Sequence, residues 1–501
     1  GRQRGGPAFF MCCVLKRCPL SRSLPMERTK GVPMHRRLHL LTGALSVALL
    51  PAAHAQTQAN TQANTQTQAA PAPPGAAAQP QSKAPQQPWP TLAQVNQVFD
   101  NVFALINTQY VNPTDPNVVL GNALDGMLTK LDPHSYYLTP AQWKDQQIEN
   151  TGVFGGVGLQ ITLQNNVVSV VSPIDGTPAA RAGLKPGDVL TTADGSSFKG
   201  DSLQQVLNRL RGPPGSSIRL TIARPGEAKP LDVSLTREII HVQVVKSRLI
   251  GEIGYIRLSS FSAQSEPNLR TALAGFQSKL GHEPPAIILD MRNNPGGLFG
   301  GATAVANSFF GQGEIVALRG RQPRDNRVWS ATPQGVVAPA VPLVVMINNG
   351  TASAAEIVAG ALQDHQRAVL LGQRSFGKGS VQLLFPLDNG GAIRMTTARY
   401  YTPSGRSIQG LGIVPDVEVE ESRTPVASKD AAHEADLAGA LKNPGSIASS
   451  LKAPPRPDLP AIAKEIPRLP PASWPAFDPN KPATDFQLAQ ALVLAKAMEK
   501  H

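Results

Sequence analysis

The chain has 501 residues, a formal net charge of +12 and an isoelectric point near 9.7. Its length allows about two or three domains with substantial cores. The charge would suit a nucleic-acid or membrane binder, but residues 1–55 hold nine Lys and Arg (Arg2, Arg4, Lys16, Arg17, Arg22, Arg28, Lys30, Arg36, Arg37) and one acid, Glu27; they net +8, the remainder carries only +4, and nucleic-acid binding is discounted.

Residues 34–56 read "MHRRLHLLTGALSVALLPAAHAQ". Arg36 and Arg37 form a basic n-region, Leu38 to Leu50 an apolar h-region too short to span a bilayer, and Ala53-His54-Ala55 an A-x-A cleavage site. This predicts a signal peptide over 34–55, with 1–33 an over-extended start and Met34 the initiator. All three cysteines (Cys12, Cys13, Cys18) precede the cleavage site. The mature chain is then expected to hold no disulfide, thiol nucleophile, thiolate metal site or lipid-anchoring cysteine. An exported, periplasmic product that does not span the membrane follows.

Residues 56–90 are rich in Gln, Ala, Thr and Pro and predict a disordered linker. From Thr91, Leu92, Val95, Val98, Phe99, Val102, Phe103 and Ile106 recur at helical spacing, and a second helix is expected around "VVLGNALDGMLTKL". Together these make a helical segment over 91–150. Residues 151–240 change to short β-rich runs, turn dipeptides and many glycines, with one helix at "DSLQQVLNRLRG".

Over 241–420 strands ("GEIGYIRLSSF", "PPAIILDMR", "VPLVVMINN", "RAVLLG", "GSVQLLFPL") alternate with helices ("GATAVANSFF", "ASAAEIVAGAL"). The fold class is mixed α+β or α/β, around a mixed sheet with flanking helices. Residues 421–483 are Pro-rich and irregular. The end, "TDFQLAQALVLAKAMEK", predicts a helix capped by Thr484 or Asp485. Its apolar face (Phe486, Leu488, Leu492, Ala495) is expected to dock on the body or on a second copy.

Two motifs meet at "RAVLLGQRSFGKGS", residues 367–380. Gly372, four residues, then Gly377-Lys378 approximates a phosphate-binding P-loop. That loop needs Ser or Thr after the lysine and then a helix. Here Gly379 follows, then a β-like run ending at Pro386, so the phosphate reading fails. "SFGK" also matches S-x-x-K, the Ser–Lys signature of penicillin-binding proteins. That signature needs a helix, which Gly377 and Gly379 disfavour, and no S-D-N or K-T-G triplet accompanies it.

A better nucleophile lies upstream. "VPLVVMINNGTASAAEIVAGAL" reads as a buried strand, a turn and a helix starting near Ser353. A serine there projects from the sheet edge beside amides of a helix N-terminus, which can stabilise an oxyanion. The setting is like a nucleophile elbow without the G-x-S-x-G letters. Taken alone, Ser353 would be a helix N-cap, and Glu356, one turn later, a support for the helix start.

"NNGTASAAE" (348–356) followed by "GQRSFGKGSVQ" (372–382) resembles the carboxyl-terminal processing, or tail-specific, protease family: Ser–Lys peptidases with an inserted PDZ domain. The resemblance covers about 91–420 and includes "LDPHSYYL" (131–138), "GTPAARAGLKPGDVLTTADG" (176–195), "LRGPPGS" (210–216), "ILDMRNNPGG" (288–297) and "RYYTPSGRSIQGLGIVPDVEV" (399–419). It implies a PDZ domain at 151–240 and a protease core at 241–420. By motif, Ser353 is the nucleophile, Lys378 the general base and Gln382 the residue that orients the lysine. The oxyanion donors are the amides of Gly297 (or Gly296) and Ala354.

The chemistry suits these residues. Lysine is a poor base at its ordinary pKa near 10.4, but burial can lower that to roughly 7–8, so that neutral Nζ takes the serine proton. By the two-residue strand period Gln382 shares a face with Lys378. Gly377 and Gly379 would leave approach to Ser353 unobstructed. The family often has Thr where this chain has Ser375, and the hydroxyl is kept. No cofactor or metal is implied, and His134 and His365 are read as structural or exposed.

"FGGVGLQI" resembles a PDZ carboxylate-binding loop. The amides of Gly155, Gly156, Val157 and Gly158 would capture a free C-terminus, and Leu159 would open the strand that pairs with the peptide. The resemblance implies a serine endopeptidase that cleaves exported proteins near apolar C-termini through an acyl-enzyme, cell-wall hydrolases among the candidate substrates. Arg211 is the gating candidate. An adaptor protein and a homo-oligomer through the terminal helices are further expectations. The alternative is a non-catalytic PDZ scaffold that binds exported C-termini, with binding indifferent to Ser353.

Overall fold

The computed structural model describes residues 90–338, 340–423, 433–445, 455–478 and 481–499. The expected over-extended start, the signal peptide, the linker up to residue 89 and all three cysteines lie outside them. The described residues belong to one of the chain's two units, Trp89–His501.

Thr91 begins the first helix, α1 (Leu92–Gln109), with a capping box in which its hydroxyl accepts from the Gln94 amide. Asp115 caps α2 (Pro116–Leu128), with proline at the first turn where a missing N–H costs nothing. A short strand, β1 (Tyr136–Leu138), and α3 (Pro140–Thr151) complete this segment. The helical period of α1 is as expected, but the helix buries none of its side chains; Val98, Phe99 and Val102 remain 61%, 46% and 49% exposed. A period sets which residues share a face, not whether anything covers it.

The next segment starts with β2 (Val153–Gly156), followed by β3 (Leu159–Gln164), β4 (Val167–Pro173), the single turn α4 (Pro178–Arg181), β5 (Val189–Ala193), β6 (Ser196–Ser197), α5 (Leu203–Leu210), β7 (Ser217–Ala223), β8 (Leu231–Thr236) and β9 (Glu238–His241). The sheet order is β3-β4-β5-β7-β8, with β3 at an edge. Alternate residues Val168 and Val170, and Ile218, Leu220 and Ile222, point inward with Val206 and Leu210 of α5. Antiparallel β2 and β9 pair separately and form a two-stranded ribbon at the root of this domain.

The segment expected to be the protease core begins with β10 (Val245–Ile250) and β11 (Ile253–Leu258), then α6 (Ser265–Leu280), β12 (Ile287–Asp290), α7 (Phe299–Asn307), β13 (Glu314–Gly320), β14 (Arg327–Ser330), β15 (Leu343–Ile347), α8 (Ala354–Asp364), β16 (Val369–Gly372), β17 (Ser380–Pro386), β18 (Ala392–Tyr401), β19 (Val417–Glu418) and α9 (Phe486–Met498). One sheet runs β10-β11-β12-β15-β16-β19 and is parallel from β11 onward. Both its faces are covered, which is why β12, β15 and β16 are apolar at every central position. Ile287, Leu289, Leu343 and Val345 join the core that includes α6, α7 and α8. Ile288, Val344 and Met346 face α9 instead.

The terminal helix therefore docks on its own chain. Phe486, Leu488 and Ala495 are buried there, and the cap is Asp485, whose carboxylate accepts from the Leu488 amide at 2.9 Å. Arg292, just past β12, locks the contact with ion pairs of 2.7 Å to both Asp290 and Asp485. A second sheet, β1-β18-β13-β14 with β17 also on β18, stands beside the first.

Candidate active site

Ser353 lies where β15 turns into α8, at the carboxyl end of the parallel sheet. All five residues of β15 are buried. The turn after it is tied by Thr351, whose hydroxyl donates to the Met291 carbonyl at 2.9 Å and accepts from the Asn348 amide. Ser353 itself has φ 54° and ψ −118°. Only a few per cent of non-glycine residues adopt positive φ, and such strain concentrates at functional sites. The elbow-like geometry is thus present although the G-x-S-x-G letters are absent.

The turn packs against the loop after β12. There the Asn294 carboxamide donates to the Leu258 carbonyl at 3.0 Å and accepts from the Gly296 amide at 2.9 Å, while its backbone carbonyl accepts from Ala352. Glycine is required at both 296 and 297. A Cβ on Gly296 would stand 2.9 Å from Ser353 Cβ and from the Ala354 nitrogen; one on Gly297, at φ 133°, would stand 2.2 Å from the Phe261 carbonyl oxygen. The Gly296 amide is thus already occupied. Among the described residues the amides of Gly297 and Ala354 carry no hydrogen-bond partner. They flank Ser353 at the N-terminus of an 11-residue helix, where a developing negative charge is favoured.

Lys378 approaches from the loop between β16 and β17. Burial is the main cause that brings its amine down to about 8, with the Arg394 guanidinium acting in the same direction; the carboxylates of Glu434, Asp132 and Glu356 oppose them. Ser353, Lys378, Gln382, Gly297 and Ala354 all line one cleft of about 620 Å³, together with Arg211 and Tyr400. No hydrogen bond joins Ser353 Oγ to Lys378 Nζ among the described residues. No helix follows Lys378, as the failed phosphate reading requires.

Two local expectations need correction. Gly377 and Gly379 do not make room around the lysine: a Cβ at either would meet the backbone of Gln409–Gly412 at 2.8–3.1 Å, so their role is the close approach of that turn. Gln382 does not share a strand face with Lys378, because β17 begins only at Ser380 and a bulge falls between Val381 and Gln382. Its amide donates to Ser380 Oγ at 3.0 Å and Thr396 Oγ1 at 3.1 Å. Thr396 in turn donates to Asp132 of the "LDPHS" run, which thereby supports the wall of the cleft.

Glu356 does more than support its helix. Fully buried, its carboxylate accepts from the Ser353 amide at 2.8 Å, as expected of a helix start, and also from Ser375 Oγ at 2.5 Å, the Gly377 amide at 2.8 Å and the Lys378 amide at 2.9 Å. Burial raises this carboxyl to about 7, opposed by those four donors. Ser375 is fully buried and its oxygen also accepts from the Ile413 amide, which leaves it no route to a substrate. Both histidines are structural: His134 Nε2 contacts Glu434 at 2.8 Å, and His365 Nε2 the Glu314 carbonyl at 2.6 Å. Among the described residues no group of three or more His, Cys, Asp or Glu could hold a metal ion.

In the β-rich domain, Gly155 and Gly156 belong to β2, paired with Ile239 and Glu238 of β9, rather than to an open loop. Val157 is buried in the domain core, Gly158 turns at φ 79°, and Leu159 opens the edge strand β3. Arg211 ends α5, pairs with Asp145 of α3 and lies over the Phe154 ring at 5.2 Å.

Residues 252–419 match the model of peptidase family S41, and residues 169–224 match that of the PDZ domain. A peptidase core into which a PDZ domain is inserted makes this a serine-type peptidase. The carboxy-terminal-processing protease of Bartonella bacilliformis is 47% identical over 324 residues, 64% of this chain and 74% of that one. That of a Synechocystis species is 40% identical over 307 residues, 60% and 70% of the two chains. A solved photosystem II D1 C-terminal processing protease is 32% identical and covers 64% of this chain and 86% of its own, with a TM-score of 0.38. The chain belongs to the carboxy-terminal-processing protease family.

Proposed function

We propose that this peptidase works through a Ser353–Lys378 dyad and selects exported proteins by their free, apolar C-termini. The observation that carries the reading is the convergence, in one cleft, of a serine on a strained strand-to-helix turn, a buried lysine lowered to about 8, and two unpartnered amides beside the serine. Neutral Nζ takes the Ser353 proton as Oγ attacks the scissile carbonyl. The Gly297 and Ala354 amides hold the oxyanion, and the lysine passes its proton to the leaving amine; water then releases the acyl group. Gln382, anchored by its amide to Ser380 and Thr396, keeps its carbonyl oxygen for the lysine. Substrate tails pair with the edge of β3 and end at the Val157–Leu159 turn. Arg211, on the rim of the cleft and bound to α3, is placed to report PDZ occupancy to the core.

The signal-like segment at 34–55 supports export to the periplasm. Among the described residues no helix is long and apolar enough to cross a membrane. With α9 docked, the uncovered side of α1 is the remaining candidate for self-association. An adaptor would act through Arg211 and the PDZ domain.

Amidating the C-terminus of an unstructured substrate with an apolar tail is expected to raise KM about tenfold or more, because a free carboxylate no longer meets the PDZ amides. Equal kcat/KM for the acid and amide forms in a purified cleavage assay would remove tail recognition from the reading.

A further inference from the structure

Tyr400 lies on β18, within the "RYYTPSGRSIQGLGIVPDVEV" run (399–419) but outside the two segments that carry Ser353 and Lys378. Its side chain is almost fully buried, and its hydroxyl is bonded to two backbone carbonyls, that of Ser353 at 3.0 Å and that of Lys378. Glu356 makes the complementary contacts: one carboxylate oxygen, Oε2, accepts from the amides of the same two residues, Ser353 at 2.8 Å and Lys378 at 2.9 Å. Both peptide groups that flank the unusual φ and ψ of Ser353 are therefore held by side chains, and each of those side chains also holds Lys378. The two residues stand 25 positions apart in sequence, on different loops.

We propose that Tyr400 is a positioning residue which, with Glu356 as its counterpart, clamps the backbones of Ser353 and Lys378 into one rigid frame and so sets the distance between nucleophile and base. The inference rests on the dyad reading given above. A strained backbone persists only where its surroundings over-determine it. Glu356 fixes the N–H before Ser353 Cα and Tyr400 the C=O after it, so neither dihedral can relax alone. The same two contacts stop the lysine loop from sliding past the serine turn. Burial holds the phenol well above its ordinary pKa, so it stays protonated and keeps donating throughout the working pH range. Tyr400 does not touch the reacting atoms in this scheme; it acts only through the frame.

The test is Tyr400→Phe in the full-length enzyme, which keeps the ring and removes the hydroxyl. Misplacing the reacting groups by about 1 Å costs about a hundredfold, so kcat is expected to fall by that order, with KM within about twofold of wild type. Covalent labelling of Ser353 by a fluorophosphonate probe is expected to slow in parallel, while the far-ultraviolet circular dichroism spectrum stays native. Glu356→Gln, which removes the charge facing four donors, is expected to show the same split between kcat and KM. Wild-type kcat in Tyr400→Phe would overturn the clamp. So would a lower melting temperature with unchanged kcat and labelling rate per folded molecule, since that is a structural role only. Ser353→Ala is run alongside: if it still cleaves, the dyad reading itself is wrong, whichever result Tyr400→Phe produces.

Discussion

Ser353→Ala is expected to lower kcat/KM on an unstructured substrate with an apolar tail by about 10⁴-fold or more, and Lys378→Ala to do the same. Neither residue has a substitute within reach. Ser375, the other serine of the local motif, is fully buried and committed to Glu356 and the Ile413 amide. His134 and His365 are bonded to groups elsewhere. If Ser353 and Lys378 act as one nucleophile–base unit, the double variant should be no worse than either single one. The residual rate expected in all three is what oxyanion donation by the amides of Gly297 and Ala354 would supply without the dyad. Discontinuous assays with mass-spectrometric readout of the cut site would measure these rates.

The second large effect is on pH. Only the neutral amine can take the serine proton, so kcat/KM is expected to rise about tenfold per pH unit below the Lys378 midpoint, near 8, and to level off above it. The same displacement carries a stability penalty. The folded-state value lies below the ordinary 10.5, so the unfolded chain binds this proton more tightly than the folded one does. The penalty, about 3 kcal/mol, is complete below pH 8 and disappears as pH rises toward 10.5. Lys378→Met should therefore be inactive yet more stable than wild type at pH 7, and lose that advantage in alkali. Flat activity from pH 6 to 10, assayed over about that range, would remove lysine as the base.

Much of the site was readable because its signals are local. An apolar run, a turn and Ser353 at a helix start are contiguous, and so are the strand and Gly-rich loop before Lys378. The terminal helix and its Asp485 cap are contiguous as well. What escaped depends on distant partners. Glu356 reads as a helix-start residue until Ser375, Gly377 and Lys378 are folded onto it. The glycines at 377 and 379 read as space around a lysine, and only the turn at 409–412 shows what they admit. Tyr400 has no local signature of its contacts at all.

Other differences arise where the local pattern is weak or ambiguous. In helix α6, Leu269, Ala272, Leu273 and Phe276 follow the spacing of one buried helical face, and Gly275 and the polar residues between them dilute the pattern. Gln382 shares a face with Lys378 only if the strand begins at the lysine, and a bulge two residues into β17 is not written in its letters. For α1 the period predicted the helix correctly and could not say that its apolar side would stay uncovered.

The most direct test of the Ser353–Lys378 dyad is to react the purified enzyme with a fluorophosphonate probe and locate the adduct by peptide mass spectrometry. The dyad predicts a single adduct on Ser353, formed faster as pH rises through about 8 and lost in Lys378→Ala. An adduct on any other serine, or labelling of Ser353 at the same rate without Lys378, would contradict it.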